Sequence, residues 1–211
     1  GNEPAGVEAA QRVFARLAAR KEEGDFAVAG EVVVFAGNVA GLNASFRYFD
    51  RDLTRGWSAA RIDAVRAVSV ETLRHEDREQ RELIDAIDGA VARARGDVVL
   101  ADLHTSSAPG IPFVLFGKTL EQRRFVSAFP IPVISGIVDK VEGVLSEFIC
   151  GRSTPTTFSV EGGQHDAASS RDALEAILWL SMARARMIDP GLVEVTRSHA
   201  VLEQMRGDLP K

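Results

Sequence analysis

The stretch "GDVVLADLHTSSAPG", residues 96–110, decides the fold class of this chain. It passes from turn residues into a short, almost continuous apolar run, Val98 to Ala101, and becomes polar at Asp102. Such a run predicts a buried strand of a parallel sheet that is covered on both faces. His104 follows where this strand should end, which is the edge where open α/β sheets bind ligands. The stretch by itself fits equally well a core histidine whose ring nitrogens bond to neighbours.

Composition limits the function classes that remain open. The chain has 211 residues, 45% of them hydrophobic, which is enough for one large α/β domain or two small ones. The net charge of -5 and the lack of a basic tract argue against a nucleic-acid partner. No apolar run approaches the length of a membrane span, and no signal peptide is visible. The single cysteine, Cys150, cannot form an internal disulfide, so we expect a reducing, cytoplasmic location.

Apolar runs and helical periodicities alternate along the chain. Helices are predicted over 5–21, 76–95, near 119–128, 166–189 and 192–206. Strands are predicted over 30–36, 96–104, 112–117, 131–136, 143–150 and 156–163, and 38–60 are predicted to be a long functional loop. Because no linker or repeat divides the sequence, we expect one α/β domain over 1–211. Its sheet should be mixed, mostly parallel, and flanked by helices on both faces.

Four groups of polar residues fall at or just beyond predicted strand ends or chain turns. They are Glu3 in "GNEPAG", the arginines of "FRYFDRDLTR" (46–55), His104 in "DLHTSS" and Glu161 in "SVEGGQH". A histidine and carboxylates supply the nitrogen and oxygen ligands that a catalytic zinc needs, and a further carboxylate can move a proton. Arginines supply fixed positive charge for an anionic substrate. Together they indicate a metal hydrolase.

Each of these residues also has a plain structural interpretation. The arginines fit a solvated loop in which they pair with Asp50 and Asp52, and for Arg51 we favour that interpretation. Glu161 fits a helix-start or loop carboxylate. Trp57 fits either a pocket wall or core packing.

The four motifs, in this order and spacing, resemble the succinylglutamate desuccinylase and aspartoacylase family of the zinc carboxypeptidase superfamily. The resemblance covers about residues 1–165. It implies a carboxypeptidase-like fold and zinc-dependent hydrolysis of the amide bond of a small anionic N-acyl amino acid. A carboxypeptidase-like peptidase and a metal-poor inactive or binding domain are the alternatives, and a homo-oligomer is left open.

The resemblance also implies roles for individual residues of the metal centre. Glu3 and His104 match two ligands of a single Zn²⁺ ion, and a further histidine ligand is expected immediately before Gly1. Glu161 matches the general base and acid. Asp102 either orients the ring of His104 or caps the strand end.

The substrate side of the resemblance rests mainly on two arginines. Arg47 would polarise the scissile carbonyl, and Arg55 would bind a substrate carboxylate. Thr54 stands where the family usually has asparagine, so the relatives do not fix the substrate. His165 either lines the substrate pocket, shuttles a proton or replaces a metal ligand, whereas His75 and His199 should face solvent. By the same resemblance we expect the chain to lack an N-terminal lead-in and the family's C-terminal β-rich domain.

Overall fold

The computed structural model describes residues 3–24, 26–137, 140–150 and 156–209, without the side chain of Cys150. Within these residues the helices are α1 (Ala5–Glu23), α2 (Val39–Ala44), α3 (Ala59–Arg66), α4 (His75–Arg93), α5 (Leu120–Val126), α6 (Leu145–Cys150), α7 (Ala168–Arg184) and α8 (Val193–Arg206). The strands are β1 (Val99–Ser106), β2 (Phe113–Phe116), β3 (Val133–Ser135) and β4 (Thr156–Gln164).

The strands form one sheet in the order β1-β4-β2-β3. β1 runs parallel to β4 and β2 parallel to β3, while β2 and β4 are antiparallel. This confirms the mixed, mostly parallel sheet. The carboxyl ends of β1 and β4 therefore meet the amino ends of β2 and β3 at one edge, where Glu161 pairs with His104 on one side and Phe113 on the other.

Helices cover both faces of the sheet, as predicted. Side chains alternate along β1, so that Ala101 and Leu103 pack on one core while Leu100 packs on the other. The first core lies against α1, α5, α7 and α8 and includes Trp179 and Leu174. The second lies against α3, α4 and α6. No helix within the described ranges combines the length and the apolarity that crossing a bilayer requires.

Helix α4 confirms the helix predicted over 76–95. Its acidic first turn and its basic last turn suit the helix dipole. Its buried stripe is unusual, because Glu76 and Gln80 precede the apolar Ile84 and Ile87. Half of this stripe is therefore polar, and its hydrogen bonds must be made inside the protein.

Two predicted strands are wrong. Residues 30–36 form no strand and have no ladder partner among the described residues, and Val33 and Val34 remain partly exposed. β-branched residues favour extended backbone, but a strand also needs a neighbour to bond with. Residues 143–150 instead hold helix α6, whose Phe148 and Ile149 are buried in the second core. A short apolar run does not distinguish a buried strand from a buried helix.

The long loop predicted over 38–60 contains short helices. Asn38 begins α2 by accepting a hydrogen bond from the N–H of Gly41 at 3.0 Å. Asp52 likewise accepts from the N–H of Thr54 at 3.0 Å and begins a 3₁₀ helix. These elements are set by capping side chains, which leave no apolar period in the sequence.

Candidate active site

Glu3 and His104 meet at the edge where β1 ends. Glu3 lies just before α1, and its Oε2 is 3.4 Å from Nδ1 of His104. The same oxygen accepts the N–H of Thr105 at 2.8 Å. The start of α1 is thus fixed to the end of β1, which brings together two residues that are distant in the chain.

Asp102 holds the other side of the imidazole, with its Oδ2 3.1 Å from Nε2 of His104. The sequence left two roles open for Asp102, orienting the ring of His104 or capping the strand end. This contact corresponds to the first role. Burial alone would lower the pKa of His104, but Asp102 and Glu3 raise it to about 11. The two carboxylates therefore favour a positive charge on the imidazole that lies between them.

Thr105 connects the cluster to His165. Its Oγ1 is 2.8 Å from Nδ1 of His165 and 3.4 Å from Oε2 of Glu3. The backbone N–H of His165 also donates to the carbonyl of Ser106 at 2.9 Å. The structure thus brings the predicted His165 to the site through a threonine that sequence reasoning missed, although it directly follows His104 in "DLHT".

The carboxyl group of Glu3 is held ionised. Burial alone would raise its pKa, but hydrogen bonds from His104 and from the N–H of Thr105, together with the charges of His104 and His165, hold it at about 2. Glu3 is therefore ionised at neutral pH, beside the carboxyl end of β1.

Glu161 lies beside His104 on the neighbouring strand. Its Oε2 is buried and has no hydrogen-bond partner within the described residues. Burial raises the pKa of Glu161 to about 7, helped by the negative charges of Glu3 and Asp102 and opposed by His104 and Arg47. An unpartnered buried carboxyl oxygen needs an explanation in a folded protein, and a ligand-binding or catalytic role provides one.

The two glycines after Glu161 allow the end of β4 to pack closely against α7. A Cβ on Gly162 would lie 2.7 Å from Cγ of Leu174. Gly163 has φ +119, and a Cβ there would lie 2.8 Å from Oγ of Ser170. The "VEGG" motif thus combines a carboxylate with the close helix contact that positions it.

Arg47 is near enough to interact electrostatically with Glu3 and Glu161. Its Nη2 is 2.9 Å from Oδ2 of Asp52, which raises the pKa of the guanidinium, and the charge of Glu3 adds to this effect. Pairing with Asp52 is the structural interpretation that the sequence left open. Because 49% of the Arg47 side chain stays exposed, it also remains accessible to a substrate.

The other residues of the arginine motif behave differently. The Thr54 hydroxyl donates to Oδ1 of Asp52 at 2.7 Å. Arg55 is exposed, and among the described residues its side chain has no hydrogen bond or ion pair. No polar contact links either residue to Glu3, His104 or Glu161 in the described part of the chain, so their substrate roles stay predictions.

Arg51, Trp57 and two further histidines lie outside the site. Arg51 is structural, but it pairs with Asp77 and donates to Gln80 at 2.7 Å, so the expected pairing with Asp50 or Asp52 is wrong. Trp57 is a core residue that packs on Phe148. Partly exposed side chains are found at His75 and His199, as expected.

The described residues hold no group of three or more His, Cys, Asp or Glu side chains arranged for a metal ion. Glu3 and His104 do fit as a pair of ligands. Their 3.4 Å separation matches the distance of about 3.3 Å between two ligands bound about 2.0–2.1 Å from a tetrahedral zinc. Carboxylate oxygen and imidazole nitrogen are also donors that zinc accepts.

The family model of the succinylglutamate desuccinylase/aspartoacylase catalytic domain matches residues 1–180. The chain belongs to this family. The match confirms the resemblance inferred from the four motifs and covers every site residue named above. Among curated proteins, no match to the chain was found.

Solved desuccinylases share the fold. The succinylglutamate desuccinylase from Chromobacterium violaceum matches with a TM-score of 0.66 at 20% identity, over 91% of this chain and 59% of that chain. The one from Vibrio parahaemolyticus matches with a TM-score of 0.59 at 12% identity, over 100% of this chain and 57% of that chain. This chain therefore spans less than two thirds of the length of either protein, and at these identities the likeness shows the fold alone.

Proposed function

We propose that this chain is the catalytic domain of a zinc-dependent hydrolase that cleaves the amide bond of a small anionic N-acyl amino acid. One observation carries the proposal: Glu3 and His104 are in contact beside the unpartnered oxygen of Glu161, and the charge of Arg47 is near enough to lower the pKa of Glu161. Membership of the desuccinylase/aspartoacylase family supports an acyl-amino-acid substrate.

Glu3 and His104 are the residues that would hold the zinc ion, with Asp102 fixing the ring of His104. A third ligand is expected from a histidine immediately before Gly1. When bound, zinc would supply Lewis-acid polarisation of the scissile carbonyl and a lowered pKa for water in the site.

The protein side chains carry the proton transfers. Glu161 accepts a proton from the water that attacks the carbonyl carbon, and it then delivers this proton to the leaving nitrogen. The C–N bond breaks, and the products are a carboxylate and an amine. Arg47 stabilises the negative oxygen that develops on the carbonyl, and Arg55 binds the carboxylate of the substrate. His165 and Thr54 line the substrate side.

The substitution Glu161→Gln tests the reaction. It should lower kcat by about 10²–10⁴-fold, because it removes the group that moves the proton, while zinc per chain stays at the wild-type value. The matched control is Glu82→Gln, which makes the same change on the exposed side of α4. Substrates should include N-succinyl and N-acetyl amino acids and peptides. Turnover retained by Glu161→Gln would remove Glu161 from the mechanism, and turnover of peptides alone would favour a carboxypeptidase-like enzyme.

Metal content tests the cofactor separately. Zinc per chain should be higher in a protein that carries histidine immediately before Gly1 than in the chain that begins at Gly1. His104→Ala should reduce it in both. If neither the added histidine nor His104→Ala changes the zinc content per chain, the metal-poor binding domain is favoured.

A further inference from the structure

Helix α4 directs buried polar side chains at the segment that carries Arg47. Glu76 is 1% exposed and Gln80 is fully buried. A buried carboxylate is costly unless it is hydrogen-bonded. The partners of Glu76 therefore show which part of the molecule depends on it.

Those partners are consecutive backbone amides. Oε1 of Glu76 accepts the N–H of Phe49 at 2.7 Å, and Oε2 accepts the N–H of Asp50 at 3.0 Å and of Arg51 at 3.4 Å. Burial alone would raise the pKa of Glu76, but these N–H donors lower it, so the carboxylate is ionised at neutral pH. One side chain thus fixes the backbone immediately after Arg47.

Asn38 links Glu76 to the backbone of Arg47. Its Nδ2 donates to Oε1 of Glu76 at 3.1 Å and to the backbone carbonyl of Arg47 at 3.0 Å. The backbone of Arg47 is therefore held directly by Asn38 and, through the amides that follow it, by Glu76. In the described part of the chain the guanidinium itself pairs with Asp52, and neither Asn38 nor Glu76 hydrogen-bonds to it.

We propose that Glu76 is a positioning residue for Arg47: by fixing the backbone of residues 47–51, with Asn38 as its partner, it holds Arg47 near Glu3 and Glu161. The catalytic part of this proposal rests on the proposed function. Glu79 on the same helix has a different role, since it accepts the N–H groups of Val39 and Ala40 at the start of α2.

The arrangement requires a carboxylate. Both oxygens of Glu76 accept hydrogen bonds, and an amide has only one acceptor oxygen. In Glu76→Gln an NH₂ group would face backbone N–H groups, and the segment would be released. Glu82→Gln is again the matched control on α4. Asn38→Gly is the second variant, because glycine accepts the φ of 48 at this position while removing the amide.

Hydrogen exchange of the apoprotein tests the structural part. The amides of Phe49, Asp50 and Arg51 should exchange at least about tenfold faster in Glu76→Gln. In Asn38→Gly the same amides should also exchange faster, and in Glu82→Gln they should match wild type, as should the amides of α7 in all three. Unchanged exchange in folded Glu76→Gln and Asn38→Gly would overturn the proposal.

Kinetics test whether Glu76 acts through Arg47. In the metal-loaded protein, Glu76→Gln should lower kcat about 10- to 100-fold with little change in KM, since a misplaced group costs turnover in this range. In an Arg47→Ala background, Glu76→Gln should have no further effect on kcat. Fully additive losses would overturn the positioning role. If the wild-type protein cleaves no N-acyl amino acid, the proposed function and the catalytic part of this inference fall together, and hydrogen exchange still decides whether Glu76 holds the segment.

Discussion

Two parts of the site are built in different ways. The strand-end cluster, Glu3, His104 and Glu161, is positioned largely by backbone pairing of β1 with β4 and by the docking of α1. The arginine segment, residues 46–55, is positioned by Glu76 of α4 and by Asn38, whose side chains bind its backbone. A strand ladder tolerates many side-chain changes. A segment held by two buried side chains should not, so the two regions should respond differently to substitution.

The two regions also differ in exposure. The side chain of Arg47 is 49% exposed, whereas those of His104 and Glu3 are 24% and 16% exposed. Arg47 is therefore the most solvent-accessible of these three charged side chains.

Removal of the Arg47 side chain should have the largest effect, because it deletes the chemistry of the arginine segment without touching the strand ladder. Arg47→Ala should lower kcat by about 10²–10³-fold, as expected for an oxyanion donor. Steady-state kinetics on an N-acyl amino acid measure this. Arg16→Ala, an exposed arginine on α1, is the matched control. A fall of less than about tenfold in Arg47→Ala would contradict the assigned role.

Acid should weaken the arginine segment. Because the pKa of Glu76 is lowered in the folded protein, its stabilisation is complete above the ordinary glutamate pKa and is lost as the pH falls through the folded value. Glu76→Gln should therefore cost about 1.5–3 kcal/mol of unfolding free energy at pH 7, and the difference from wild type should shrink under acid. Urea unfolding at several pH values measures both. A difference independent of pH would show that the carboxylate charge is irrelevant.

The strand-end cluster should be sensitive to added bulk at Gly162, where β4 packs closely on α7. Gly162→Ala places a Cβ against Leu174 and the carbonyl of Ser170, which should cost about 1–3 kcal/mol of unfolding free energy. The matched control is Gly96→Ala, where a Cβ meets nothing within 4 Å. Denaturant titration compares them, and equal stability of the two variants would show that α7 yields freely at β4.

A surface ion pair should matter least. Arg12 on α1 pairs with Asp172 on α7 at 2.8 Å, and the two side chains are 46% and 52% exposed. This contact joins two elements, as Glu76 does, but water and salt screen it. Arg12→Gln should change the unfolding free energy by less than about 1 kcal/mol. The same denaturant titration measures this. A larger loss would mean that the exposed Arg12–Asp172 pair stabilises the protein as much as the buried contacts of Glu76 do.

The sequence predicted the motif residues and one supporting residue, Asp102, but it missed two others, Thr105 and Glu76. Thr105 and Glu76 act through partners far along the chain, and no local pattern records such partners. A signal for Glu76 did exist, since it occupies the same helical stripe as Gln80, Ile84 and Ile87. A charged residue at a buried helical position needs a hydrogen-bonding partner, and this would have marked it.

The sequence by itself determined the α/β class, the strands and helices with clear periods, and the motifs of the family, because these depend on local order along the chain. The tertiary structure alone decided that residues 30–36 find no partner strand and that 143–150 form a helix. It also gave the geometry in which Glu3 contacts His104 and Glu161 lies on the neighbouring strand, which the resemblance had only implied. The physical reason is that strand pairing, helix docking and buried hydrogen bonds join distant parts of the chain, and their geometry is set by packing across the sheet.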